Sequence, residues 1–215
     1  MGRKIVVTSG KGGVGKTTLT ASLGIAIAET GKKVVLVDAD IGLNNLDVVL
    51  AVENKVVYDV LDVISGKCRL KQALIQDVDN PTLYVLPSAK IQDSPLITAC
   101  SFRNVVDALA LNFDFVIIDC PAGIDNGFHR AVSAATEAIV VTTPHISAVR
   151  DADKVLSILS GYCLMSVGLV VNRVRGDMVS KGEMMSAGDI VRAVRCEPVG
   201  VIPEDDYITM YSQTG

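Results

Sequence analysis

Gly10-Lys11-Gly12-Gly13-Val14-Gly15-Lys16-Thr17-Thr18 carries the densest chemistry of this 215-residue chain. Its glycines let backbone N–H groups turn inward and approach anionic oxygens closely. The segment fits the spacing GxxxxGK[ST], which needs a strand before it and a helix after it. Gly10, Gly12, Gly13, Val14 and Gly15 then line a phosphate cradle. Lys16 is expected on the β- and γ-phosphates of a nucleotide, the Thr17 hydroxyl on Mg²⁺, and Thr18 beside the α-phosphate. The plainer alternative is a glycine-rich turn with no ligand, but chance rarely assembles this pattern in a chain of this length. Lys11 is a second cation five residues before Lys16. Lys16 already serves the chain's own phosphates, so Lys11 has no vacant intrachain phosphate to meet.

Carboxylates follow two further apolar runs. Asp38 and Asp40, at i and i+2 beyond residues 34–37, could share a magnesium ion and a water, with Asp38 expected to support Mg²⁺ through water. Asp119, after residues 115–118, is expected to hold the Mg²⁺ hydration shell and the Thr17 hydroxyl. In the continuation Cys120-Pro121-Ala122-Gly123, the Gly123 N–H is expected to sense the γ-phosphate, a contact that hydrolysis would remove. No Asn-Lys-x-Asp guanine box is present, which argues for adenine. Asn172-Arg173 and Pro203-Glu204-Asp205 end the last two runs, where ordinary turns are the plain reading.

These residues need elements to bring them together. Apolar runs at 5–8, 34–37, 83–86, 115–118, 138–142, 169–171 and 199–202 lack alternation, as expected of parallel strands covered on both faces. Helical spacing lies between them. In the first such segment Leu19, Leu23, Ala26 and Ile27 share a face, and Gly31 makes a helix stop. The βαβα order predicts an α/β fold, a doubly wound and mostly parallel sheet flanked by helices, over a single domain of residues 1–215. In such sheets ligands sit beyond the carboxyl ends of the strands, so the polar residues above converge on one rim.

Composition narrows the class. With 49% apolar residues and a net charge of −4 the chain can build a core, and no basic run marks a nucleic-acid surface, so no nucleic-acid partner is expected. The five cysteines are widely spaced and form no CxxC, which fits a reducing cytoplasm better than a disulfide framework or a zinc site. His129 and His145 are solitary, and Cys120 reads as a small filler.

The glycine-rich segment with its extra Lys11 resembles the deviant Walker A motif of the ParA/MinD ATPases. The resemblance to the division-site members of that family runs through residues 40–47, 57–60, 72–75, 119–124, 147–153 and 200–205. It implies a Mg²⁺-dependent ATP hydrolase that binds ATP and ADP, forms a homodimer in the ATP state and turns over slowly. Lys11 would cross the two-fold interface to the partner's nucleotide, joining Lys16 and Asp40 as the catalytic set, with Asp40 orienting the attacking water. Asn172 would bond the base and the main chain near Pro203 would frame it, with Arg173 and Asp205 alongside. MinC- and MinE-like proteins would be met near Arg150, Asp151 and Asp153, for which a solvated helix start is the alternative. Family members continue into a closing helix and a basic amphipathic tail. Here no Lys or Arg follows Arg195, so membrane binding is expected to be poor and the location cytoplasmic. Other readings are a flagellar-placement or ParA-type partitioning ATPase, a scaffold that binds nucleotide without hydrolysis, and a ligase or amidotransferase.

Overall fold

The structure, a computed structural model, describes residues 1–43, 45–90, 94–205 and 208. Asn44 and most of the C-terminal stretch after Asp205 lie outside the described residues.

Strand β1 (Arg3–Thr8) feeds through the glycine-rich loop into α1 (Lys16–Glu29), and β2 (Val34–Asp38) follows. Three short helices, α2 (Leu46–Val49), α3 (Val60–Ile64) and α4 (Leu70–Ala73), lead to β3 (Ile75–Gln76) and β4 (Leu83–Leu86). Next come α5 (Ala99–Leu109), β5 (Phe115–Asp119), α6 (Asn126–Ala134) and β6 (Glu137–Thr142). The chain continues through α7 (Ile146–Leu159), β7 (Ser166–Val174), α8 (Gly176–Ser180), α9 (Ala187–Val194) and β8 (Glu197–Pro203).

Among the described residues eight strands form one sheet in the order β3-β4-β2-β5-β1-β6-β7-β8. Every pairing is parallel except β3 with β4. All seven apolar runs are strands. The two-residue β3 has no run long enough to announce it, and it exists because the turn at residues 77–82 folds it back on β4.

Alternate strand residues serve opposite faces. Val6, Val35, Val37, Val116 and Ile118 pack with Phe102, Val106, Phe128, Val132, Val155 and Ile190 from α5, α6, α7 and α9. Val7, Val34, Leu36 and Ile117 pack on the other side with Ala21 and Ala28 of α1 and Leu46 of α2. Two points refine the sequence reading. The fully buried side of α1 is Thr20, Ala21, Gly24 and Ala28, while Leu19, Leu23 and Ile27 of the shared face are partly buried against the same core and Ala26 is exposed. Small residues win because α1 lies close to the sheet: a Cβ on Gly24 would stand 2.6 Å from Leu36 Cδ2. Among the described residues the last strand is also not covered on both faces, since Val199 and Val201 on edge strand β8 are 62% and 50% exposed.

The fold places its functional rim at the carboxyl ends of β1, β5 and β2. Asp38 and Asp119 are register partners at the tips of β2 and β5, and Asp119 is also the partner of Val7 in β1.

Candidate functional site

The loop between β1 and α1 is held by its backbone. Gly13 and Gly15 have φ of 78° and 91°, in the region that favours glycine, and Gly15 is the N-cap of α1. Gly10 is required for a different reason. A Cβ there would lie 2.4 Å from the backbone oxygen of Asp151, so α7 packs directly on the loop. The Ser9 hydroxyl donates to the Lys11 carbonyl at 2.9 Å and fixes the outer arm. No side chain caps α1 and its first turn holds no acid. Its N–H groups and positive dipole end are left for an anion.

Behind this cradle Asp119 gathers the first turn of α1. Thr17 Oγ1 donates to Asp119 Oδ2 at 2.7 Å, Thr20 Oγ1 to Oδ1 at 3.3 Å, and Lys16 Nζ lies 3.7 Å from Oδ1. Burial pushes the Asp119 carboxyl up, while Lys16, Thr17 and Thr20 pull it back. Burial likewise raises half-buried Asp40, which Lys16 and Arg130 oppose and Asp119 reinforces.

Asp38 has a backbone task besides the one expected of it. Its Oδ1 accepts the Asp40 N–H at 2.9 Å, and its Oδ2 accepts the N–H groups of Asn45 and Leu46 at 3.3 Å each. It organises the loop after β2 and the start of α2. Its carboxyl is raised to about 7, first by burial and then by the charge of Asp119, against the pull of those N–H groups.

The base candidates line a cavity of about 280 Å³ that contains Gly15, Thr18, Asn172, Arg173, Pro203 and Asp205. Leu19 and Ser22 also line it, with Ile202, Glu204 and Ile208, and were not picked out from the sequence as base contacts, although they follow Thr18 on the same helix. Asn172 has a task that its sequence position did not suggest. Its Nδ2 donates to the Val14 carbonyl at 2.8 Å, its Oδ1 accepts the Arg173 N–H at 3.0 Å, and Arg173 adopts φ of 59°. The Gly123 N–H donates to the Ser9 carbonyl at 3.3 Å, joining the segment after β5 to the loop after β1.

Lys11 stands apart from Lys16. It is exposed on the outer arm, and its Nζ donates to Ser147 Oγ in the first turn of α7 at 3.3 Å. On α7, Arg150 and Asp153 are exposed, whereas Asp151 lies against Gly10 and pairs with Lys154 at 3.3 Å. Of the plain residues, His129 Nδ1 shares a hydrogen bond with Tyr162 Oη at 2.5 Å. Cys120 is fully buried, with its thiol raised to about 12 by burial. Thr20 and Arg130 are site neighbours that sequence reasoning missed, while Ser147 lies at the start of the 147–153 segment without a role assigned to it. Only Thr20 carried a local signal, being on the helix face of Lys16 and Thr17.

The residues present suit a nucleotide with a divalent cation. The uncapped α1 terminus fits phosphate. The two buried carboxylates at the tips of β2 and β5 raise the local negative charge that a cation would neutralise, and the hard oxygens of Thr17 and Asp119 suit magnesium.

Fold and loop together define a P-loop nucleotide triphosphatase. Residues 2–161 match the AAA domain family. The septum site-determining protein MinD of Synechocystis sp. is 47% identical over 215 residues, covering all of this chain and 81% of that protein. Among solved structures, MinD in the MinC:MinD cell division complex of Aquifex aeolicus superposes with a TM-score of 0.90 at 42% identity, over 99% of this chain and 86% of that one. MinD of Pyrococcus horikoshii, solved with Mg-ADP, gives 0.85 at 34% identity, over 98% and 84%. The chain belongs to the MinD family of ATPases.

Proposed function

We propose that this chain hydrolyses ATP in a Mg²⁺-dependent reaction and acts as an ATP-dependent dimerisation switch in division-site placement. The observation that carries the reading is the position of Lys11. Its ammonium faces outward beside Ser147, while Lys16 alone turns toward Asp119. A lysine presented outward from the phosphate loop is placed to reach the nucleotide of a second copy and to stabilise the charge that develops during phosphoryl transfer.

Within one copy, Gly10–Gly15 and the α1 terminus bind and orient the phosphates, and Lys16 holds the terminal one. Thr17 and Asp119 would hold Mg²⁺, which when bound neutralises charge between the β- and γ-phosphates. Asp40 orients the attacking water and accepts its proton. The Gly123 N–H, now on Ser9, would sense the γ-phosphate, and the loop set by Asp38 would order with it. Dimerisation completes the site and hydrolysis undoes it. A MinC-like partner, as in the Aquifex complex, and a MinE-like one would dock near Arg150 and Asp153 on α7. A cytoplasmic location suits this reading.

Size-exclusion chromatography with ATP against ADP tests it. The wild-type chain should elute as a dimer with ATP and a monomer with ADP. Asp40→Ala should hold the dimer by blocking turnover, and Lys11→Ala should remain monomeric and lose turnover. A wild-type chain that is monomeric under both conditions would refute the switch.

A further inference from the structure

Lys33, Lys71 and Tyr84 meet at a cavity of about 410 Å³ that takes no part in the phosphate site. Lys33 precedes β2 and Phe113 precedes β5, so the cavity lies at the amino-terminal ends of the strands. The rim that holds Asp38 and Asp119 is at the opposite ends. A concavity of this size is in the range that takes a small ligand.

Its inner wall is aliphatic. Leu109 of α5 is fully buried, and Leu70 and Leu74, at the start and just past the end of α4, pack partly buried on the same core. Tyr84 and Phe113 form a second wall, edge to face with ring centroids 5.3 Å apart. The turn that carries Phe113 is held in place, because the Lys33 carbonyl accepts the N–H groups of Asp114 and Phe115 at 2.9 and 3.1 Å.

The outer edge carries the opposite chemistry. Lys33 and Lys71 are exposed, and neither ammonium is in an ion pair among the described residues. The neighbouring acid, Asp114, turns its carboxylate to the Lys33 backbone N–H at 2.9 Å instead. Among the described residues no carboxylate lines the cavity. Two bases beside an apolar wall therefore leave a local positive charge on a chain of net charge −4, and an anion would balance it. The Tyr84 hydroxyl, which makes no hydrogen bond among the described residues, adds a third donor. A carboxylate, with two oxygens and about four lone-pair sites, can accept from all three.

We propose that this cavity binds an aliphatic monocarboxylate of the fatty-acid class. Its hydrocarbon chain lies against Leu70, Leu74 and Leu109, and its head accepts from Lys33, Lys71 and Tyr84 Oη. The site is separate from the phosphate rim, so the inference stands apart from the ATPase reading.

Isothermal titration tests it with decanoate as the probe and decanol as its uncharged counterpart. The proteins are wild type, Lys33→Gln/Lys71→Gln, Lys33→Arg/Lys71→Arg and Ala108→Phe, each checked by its melting temperature. Decanoate should bind wild type at one saturable site, and saturating ATP should leave that affinity unchanged. Two exposed charge contacts together are worth on the order of tenfold in affinity. The glutamine pair should lose that factor and the arginine pair should not. Decanol should bind wild type and the glutamine pair alike, and more weakly than decanoate binds wild type. Ala108 lines the same cavity, so Ala108→Phe places a ring in it and should abolish binding. The proposal is overturned by the lack of a saturable site, by competition from ATP, or by equal decanoate affinity in wild type and the glutamine pair. Should the glutamine pair fail to fold, undiminished binding to Ala108→Phe overturns it and lost binding to that folded variant supports it.

Discussion

Thr17 and Asp119, 102 residues apart, share a hydrogen bond of 2.7 Å in which the hydroxyl donates to the carboxylate. The donation fixes the direction of the Thr17 lone pairs, so a group that takes them must come from the side opposite Asp119. The bond also ties the first turn of α1 to the tip of β5. The helix with the uncapped terminus and the strand that ends in Asp119 are therefore joined at the rim.

Asp119→Asn replaces one acceptor edge with a donor and cannot serve Thr17 on one side and Thr20 with Lys16 on the other. Outer-shell partners of metal sites are worth about 10–100-fold in metal affinity. The Mg²⁺ concentration for half-maximal ATP turnover should rise by that factor in Asp119→Asn. Thr17→Val should behave similarly and Thr17→Ser should not. A magnesium titration of turnover reads all three.

The glycines of the loop should separate into two groups by their neighbours. Gly10→Ala drives a methyl to 2.4 Å from the Asp151 backbone, which cannot rotate away, and overpacking of this kind costs about 1–3 kcal/mol. Gly12→Ala meets nothing closer than the Ala122 Cβ at 3.9 Å, and its φ is not positive. Thermal unfolding without nucleotide should show a clear loss for Gly10→Ala and little change for Gly12→Ala.

Asp38 predicts a pH dependence of the apo protein. Its folded value of about 7 stands above its ordinary value of 3.8, so across that interval the folded state holds a proton that the unfolded state has released. Stability from this group is present below 3.8 and is lost as pH rises toward 7. The full loss is roughly 4 kcal/mol, at 1.36 kcal/mol for each pH unit of displacement. Asp38→Asn cannot ionise but turns an amide against backbone N–H groups. The melting temperature of wild type should exceed that of the variant near pH 5, and the gap should narrow by pH 8. A gap that is constant with pH would show that Asp38 does not titrate in this range.

The main features of the fold and of the phosphate loop were legible because they depend on local signals. Apolar runs without alternation mark the seven principal strands, and the glycine spacing of Gly10–Thr18 marks the turn into α1 with its positive-φ glycines. Legibility failed where the deciding contact is distant. Whether α1 presents leucines or small residues to the sheet depends on its distance from Leu36, which no periodicity reports. The hold of Asp38 on the loop after β2 shows only once the backbone of Asn45 and Leu46 arrives at it. Asn172 shows its use only once β7 lies beside the loop.

Asn172 permits a test that separates support of the loop from reading of the base. Its amide donates to the Val14 carbonyl, so the phosphate loop depends on it whichever nucleotide is bound. A lost hydrogen bond of this kind is worth about 1 kcal/mol, roughly five- to tenfold in affinity. If Asn172 served only the adenine, Asn172→Ala would weaken ATP and leave GTP untouched. Support of the loop requires that affinity for GTP fall as well, and by a comparable factor. Asn172→Asp should be worse than alanine for both, since it sets a carboxylate against the carbonyl that the amide now satisfies. Equilibrium binding of ATP and GTP to the three proteins decides between the two roles, and an unchanged GTP affinity in Asn172→Ala would remove Asn172 from the support of the loop.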